Sequence, residues 1–223
     1  MKNKKTALLL LLLLAIPFFS IAQKPFQGEI IYKINIDMVG LDASSKEQMS
    51  KLQQVVFIKG SKSRIDIDFG MAKSISIADA KVDEMVVLTE IMGQKMKIIM
   101  DKEMLKAQDN MSSSYTTKLL KETKMIAGYL CQKVEITAPH LPEPAYVYYT
   151  SEIKGPKYSS QHHFLDGFPL EYSTFANGSL ITYTAISVSR QKVKKKTFKI
   201  PSGYTETSLN TLQKMATGIE SDF

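Results

Sequence analysis

The sequence predicts a mainly β protein with a few helices: a curved antiparallel sheet, or a half-open β-barrel with helices over its opening. Three observations predict it. Alternation of apolar and polar residues recurs along the chain, turn residues fall between the alternating runs, and only three short segments carry helical spacing. From Gly28 to Met38 the residues Ile30, Tyr32, Ile34, Ile36 and Met38 share one face, and Glu29, Lys33, Asn35 and Asp37 the other. A period of two marks a strand with one wet face. Ser63 to Phe69 repeats it, with Ile65, Ile67 and Phe69 opposing Arg64, Asp66 and Asp68; Lys95 to Met100 does so with Met96, Ile98 and Met100. Further strands are expected at Gln54 to Ile58, Ser74 to Ala78, Met85 to Thr89, Tyr129 to Thr137, Tyr146 to Thr150, Phe168 to Phe175, Leu180 to Arg190 and Lys194 to Ile200. Asn177-Gly178 is a strong hairpin signal, and Gly60 and Gly93 mark other turns. Helices are expected at Asp42 to Leu52, where Ser44 and Glu47 form a capping box, at Ser112 to Lys121, and at Thr207 to Gly218. Pro139, Pro142 and Pro144 read as a stiff loop. Many strands against few helices favour a sheet that curls on itself to cover its apolar face.

The N-terminus speaks to location. Lys2, Lys4 and Lys5 precede a leucine run from Leu8 to Leu14, extended to Phe19, and Ser20-Ile21-Ala22 places small residues before Gln23. This is the layout of a cleavable secretory signal. The apolar stretch is short for a membrane span and Pro17 interrupts it. Residues 1–22 are therefore expected to be a signal peptide cleaved between Ala22 and Gln23. Residues 23–223 are expected to form a single β-rich domain that is periplasmic or secreted and does not span the membrane. Removing the signal takes three lysines and no acid from the formal charge of +7, which leaves +4. That mild excess lacks the dense basic patch of a nucleic-acid binder. Cys131 is the only cysteine, so neither an intramolecular disulfide nor a cysteine-based metal cluster is available.

Few residues carry chemical potential beyond a packing role. His162 and His163 are adjacent, with Asp166 nearby and His140 between prolines. Neighbouring histidines diverge on a strand and on a helix, so they do not naturally share a metal. No nucleophile elbow, zinc-protease motif or phosphate-cradling loop occurs. No catalytic residue, metal or cofactor is expected. Asp66 and Asp68 read as a solvated strand face, and Cys131 as a small core residue. The run Lys192, Lys194, Lys195 and Lys196 reads as a solvated edge. Met85, Met92, Met96, Met100 and Met104 crowd one hairpin, and methionine suits surfaces that accept varied apolar partners. A binding wall is accordingly expected from Met85, Val87, Met96, Ile98 and Met100. Tyr146, Tyr148 and Tyr183 are expected to place polar tips at its mouth.

Several phrases in order carry a family resemblance. Phe26-Gln27-Gly28-Glu29-Ile30-Ile31-Tyr32 and Ile58-Lys59-Gly60-Ser61-Lys62-Ser63-Arg64 come first, then Ile77-Ala78-Asp79 before the strand at Met85. Gly128-Tyr129-Leu130-Cys131, Gly167-Phe168-Pro169-Leu170 and Phe198-Lys199-Ile200-Pro201-Ser202-Gly203-Tyr204 follow. Together they resemble an uncharacterised, domain-of-unknown-function branch of exported Gram-negative envelope proteins related to the LolA/LolB lipoprotein carriers. The resemblance implies a half-open antiparallel β-barrel with a helical lid. In the carriers that cavity holds lipoprotein acyl chains. Their cavity arginine has no counterpart here, since Arg64 points away from Ile65 and Ile67 by alternation, so the carrier activity is not transferred. The expected function is a non-enzymatic periplasmic module that holds a lipid, an acyl chain or another apolar ligand. Its expected partners are a lipid or lipoprotein and an envelope protein. The alternative is a structural or protein-interaction domain of the envelope with a filled core and no ligand.

Overall fold

The computed structural model describes residues 25–37, 47–49, 51–70, 72–112, 114–139, 141, 143–176 and 179–211. The expected signal peptide, the expected turn at Asn177-Gly178, His140, and most of the first and last expected helices lie outside the described residues.

Among the described residues twelve strands follow in chain order: β1 Gly28–Asp37, β2 Gln53–Lys59, β3 Lys62–Asp68, β4 Ala72–Asp79, β5 Glu84–Ile91, β6 Gln94–Met100, β7 Thr116–Ile126, β8 Tyr129–Thr137, β9 Ala145–Thr150, β10 Phe168–Ala176, β11 Ser179–Arg190 and β12 Thr205–Glu206. One helix of three turns, α1 Lys102–Ser112, separates β6 from β7. All twelve strands belong to one sheet, ordered β12-β6-β5-β4-β3-β2-β1-β11-β10-β9-β8-β7. Every pairing is antiparallel except the short parallel contact of β12 with β6. The long-range step is β1 against β11, which joins two meanders of consecutive hairpins. The order is linear, so the sheet is not a closed barrel.

The sheet is strongly curved. Gln54 on β2 donates from Nε2 to Tyr172 Oη on β10 at 3.0 Å, although these strands are three positions apart in the order. In a flat sheet that offset is about 14 Å. Cys131 on β8 is near enough to Tyr32 on β1, four strands away, to act electrostatically on its phenol. Tyr32 Oη also donates to Pro169 O at 2.6 Å.

Registers define the concave face. Ser76 pairs with Ile65 and Val87, Ile65 with Val56, Val56 with Ile30, and Val87 with Ile98. On the other flank Tyr32 pairs with Ala185, Ile34 with Tyr183, and Tyr183 with Tyr172. The main core gathers Phe26, Ile30, Tyr32, Ile34, Val56, Ile58, Val134, Val147, Leu170 and Tyr183 from this face. The alternation expected for β1 holds: Ile30, Tyr32 and Ile34 are buried, while Lys33 and Asn35 are exposed.

Three sequence expectations need correction. Ser112 to Lys121 is not a helix. Asp101 caps an earlier one, its Oδ1 accepting from the amides of Glu103 and Met104 at 2.9 and 2.8 Å, and Thr116 onward pairs with β8. Lys194 to Ile200 is not a strand. It forms a 3-10 turn at Lys195–Phe198 and straps the convex side of β3, where Arg64 Nη1 donates to Thr197 O at 2.9 Å. The expected helical lid is, over the centre of the concave face, a loop instead. The connection from β9 to β10, residues 151–167, supplies the cover, because Ile153, Tyr158, Ser159 and His162 are buried there.

Candidate functional site

Curvature leaves a cleft of about 350 Å³ between the two meanders. That lies at the lower end of ligand-pocket volumes. Val56 on β2, Ile65 and Ile67 on β3, and Phe168 on β10 give it an aliphatic and aromatic wall. Tyr32, Gln54, Ser76, Tyr172, Thr174 and Tyr183 add hydroxyl and amide groups along the floor. Ser159, Ser160 and Gln161 close it from the covering loop, and Phe175 stands at the rim, 74% exposed. Among the described residues, none that lines the cleft is charged.

The floor is organised by ring and amide packing. Tyr172 stacks on Tyr183 with centroids 4.8 Å apart and planes 10° from parallel, and meets Tyr32 edge-on at 5.9 Å. Gln54 is 6% exposed and satisfies its amide on Tyr172 Oη. Burial pushes the phenols of Tyr32, Tyr172 and Tyr183 above their ordinary range, so all three are neutral.

Two glycines let the covering loop come close. A Cβ on Gly155 would sit 2.6 Å from the Phe168 ring and 2.4 Å from Ser159 Oγ; one on Gly167 would sit 2.4 Å from Thr150 O. Ser159 Oγ donates to Pro156 O at 2.5 Å and holds the loop's turn.

The adjacent histidines have separate surroundings. His162 packs against Tyr172 at 5.0 Å and Phe164 at 6.0 Å. Among the described residues its Nδ1 has no hydrogen-bond partner. Burial, then the neighbouring His163, lowers its pKa from 6.5 to about 4, so the ring is neutral. His163 Nε2 lies 3.3 Å from Asp109 Oδ1 on α1, without hydrogen-bond alignment. Lys157 pairs with the same carboxylate at 2.5 Å, and that contact, above all, raises the lysine's pKa. Beside them Tyr158, at φ 67°, donates to Asp83, at φ 52°, over 3.0 Å. Two left-handed residues thus tie the covering loop to the turn between β4 and β5. Among the described residues no three His, Cys, Asp or Glu side chains are grouped to hold a metal ion.

The residues expected to form a site are brought together only in part. Met85, Val87, Met96, Ile98 and Met100 share the concave face of β5 and β6, through the pairs Met85 with Met100, Val87 with Ile98 and Thr89 with Met96. None of them lines the cleft. Met85 and Met100 pack against a second, smaller cluster of Ala78, Leu105 and Tyr158, so α1 fills the space beside them. Tyr183 does line the cleft. Tyr146 and Tyr148 stand on the opposite face, paired with Glu135 and Lys133. There Lys133 Nζ lies 4.6 Å from the Tyr146 ring centre and 5.9 Å from that of Tyr148. The alternation of β9 turns both away from Val147, leaving Tyr146 exposed and Tyr148 half-buried against the edge of the main core.

Sequence reasoning missed Gln54, Tyr172, Phe168 and the covering loop. Gln54 carried a usable signal, as the polar member of the apolar set Gln54, Val56 and Ile58. Cys131 is fully buried, and desolvation pushes its thiol up to about 11, which makes it a packing residue rather than a nucleophile.

No protein-family model matches the chain, and no curated protein matches it significantly. Among solved structures the fold is similar to PNGF-II. Its P21 crystal form gives a TM-score of 0.54 at 18% identity, over 85% of this chain and 33% of that one. Its C2 form gives 0.51 at 17% identity, over 84% and 32%. This chain therefore matches about a third of the length of PNGF-II, and at such identity the likeness is one of fold.

Proposed function

We propose that this chain is an exported, non-enzymatic module of the cell envelope that binds an apolar or amphipathic ligand in the cleft of its curved sheet. One observation carries the reading: a cleft of about 350 Å³ with an apolar wall of Val56, Ile65, Ile67 and Phe168. Such a wall shields apolar surface from water at roughly 25 cal/mol per Å². The covering loop takes the part of a lid. The resemblance to LolA/LolB-like carriers belongs to this proposal and is supported by the curved antiparallel sheet. Periplasmic or secreted location belongs to it too, on the strength of the signal sequence. Lipid or lipoprotein is the proposed ligand class, and the chain that delivers or receives it is the proposed envelope partner.

The test is uptake of the neutral fluorescent probe N-phenylnaphthylamine by the mature chain, alongside Ile65→Asp. The wild-type chain should enhance the probe's fluorescence saturably, and the variant should lose this. Absence of saturable uptake by a folded wild-type chain would remove the proposal. A second reading, a structural domain, is favoured by one observation: Met85 and Met100 are already packed against Leu105 of α1. It expects no uptake and an unfolding midpoint sensitive to every concave-face substitution.

A further inference from the structure

Resting on the binding role proposed above, we infer that the cleft selects amphiphiles with an uncharged, hydrogen-bonding head and discriminates against fatty-acid anions and against amines. The lining has two chemistries. Val56, Ile65 and Ile67 form an aliphatic strip suited to a chain. Opposite and above it stand Thr174, whose hydroxyl also bonds the Tyr183 phenol, Ser160, whose Oγ accepts from the His162 amide at 3.0 Å and can still donate, and Gln161, whose amide both donates and accepts. An alcohol, ester or amide head finds complements of both kinds there. Among the described lining residues there is no cation for a carboxylate and no anion for an ammonium.

The charges of the neighbouring strands are directed elsewhere. Arg64 and Asp66 alternate with Ile65 and Ile67, so they lie on the convex side of β3, 2.7 Å from each other. Lys157, at the covering loop, is held by Asp109. Glu171 follows Leu170 and precedes Tyr172 on β10, and it pairs with Lys124 at 2.8 Å. An ion entering the cleft would lose hydration with no compensating partner, which makes its neutral analogue the stronger ligand. The buried phenols of the floor remain protonated and add no charge of their own.

The experiment is competition against N-phenylnaphthylamine on the mature chain at pH 8, below the micellar concentration of each competitor. Oleamide and monooleoylglycerol are compared with oleate and oleylamine, so that the hydrocarbon chain is constant and the head varies. The neutral pair should displace the probe at a concentration lower by about tenfold or more, a difference of about 1.4 kcal/mol. Oleate or oleylamine competing as well as the neutral pair would overturn the selectivity and leave the binding role intact. Failure of the probe and of all four amphiphiles to bind would overturn the binding role and the selectivity with it. A second variant locates the head. Thr174→Lys, checked for a native far-ultraviolet spectrum and urea midpoint, adds a cation to the half-buried floor and should shift preference toward oleate. Wild-type selectivity retained in that folded variant would place the head outside the cleft and overturn the inference.

Discussion

His162 sets a pH dependence that can be worked out from its surroundings. Its ring is buried against Tyr172 and Phe164, its Nδ1 lacks a partner among the described residues, and its pKa falls from 6.5 to about 4. A base whose folded pKa is depressed contributes stability that is fully present above 6.5 and is lost as pH falls through about 4. A depression of this size corresponds to on the order of 3 kcal/mol. Urea midpoints measured between pH 8 and pH 4 should therefore fall for wild type, and fall less for His162→Phe. Parallel curves for the two proteins would contradict the assignment. Tyr172 makes a second residue-level case. Tyr172→Phe keeps the stack on Tyr183 but removes the oxygen that receives the Gln54 amide, whose residue is 6% exposed. A buried donor left unpaired costs about 1–3 kcal/mol. Equilibrium unfolding should show that loss for the single variant, and a smaller combined loss than the sum when Gln54→Leu is added, because the second change removes the orphaned group.

Among the elements, strand positions were legible and their partners were not. The alternation of Ile30, Tyr32 and Ile34 against Lys33 and Asn35 reports a two-sided surface directly. Which strand lies beside β1 depends on contacts more than a hundred residues away, as in the pair Ile34 with Tyr183. The helix assigned to Ser112 to Lys121 failed because its residues form an edge strand, exposed along most of its length, whose sequence keeps no clean period. Its hairpin also turns through Ala127 and Gly128, at φ 48° and 85°, without the usual Asn or Asp ahead of Gly. The methionines were legible as apolar and adaptable, but the element that covers them was not. That element is α1, docked through Leu105, which is 1% exposed among Ala78, Tyr158, Met85 and Met100. Leu105→Ala removes most of this apolar side chain and leaves a cavity, at a cost of about 2–5 kcal/mol. Chemical denaturation should show that loss, whereas Met92→Ala, at a position 85% exposed in the turn between β5 and β6, should leave the midpoint within about 0.5 kcal/mol of wild type.

The described strands form one sheet with unequal support along its width. The main core draws its buried side chains from β1, β2 and β7 through β11, together with the covering loop. At the β4–β6 side the second cluster buries Ala78, Leu105 and Tyr158, and the other buried apolar side chains of these strands, Ile77, Leu88, Met96 and Ile98, join neither cluster. The cleft was hard to read from the sequence for the same reason. A cleft made by curvature belongs to no strand, and it joins Ser76 of β4 to Thr174 of β10, which are five strands apart in the order. Period-two patterns identify the face but not the bend, and the bend decides which face residues meet. Stability should follow the support. Regions with few buried apolar contacts open with less free energy than the global transition. Native-state hydrogen exchange should show the slowest amides in β1, β2, β10 and β11, and measurably faster exchange in β5 and β6. Leu105→Ala should accelerate β5 and β6 selectively, since it loosens the cluster that holds them, while the amides of Ile30 and Ile34 slow or quicken only with global stability. If β5 and β6 exchange as slowly as β1 in wild type, and the variant lowers protection equally everywhere, the sheet unfolds as a single unit and the graded architecture is refuted.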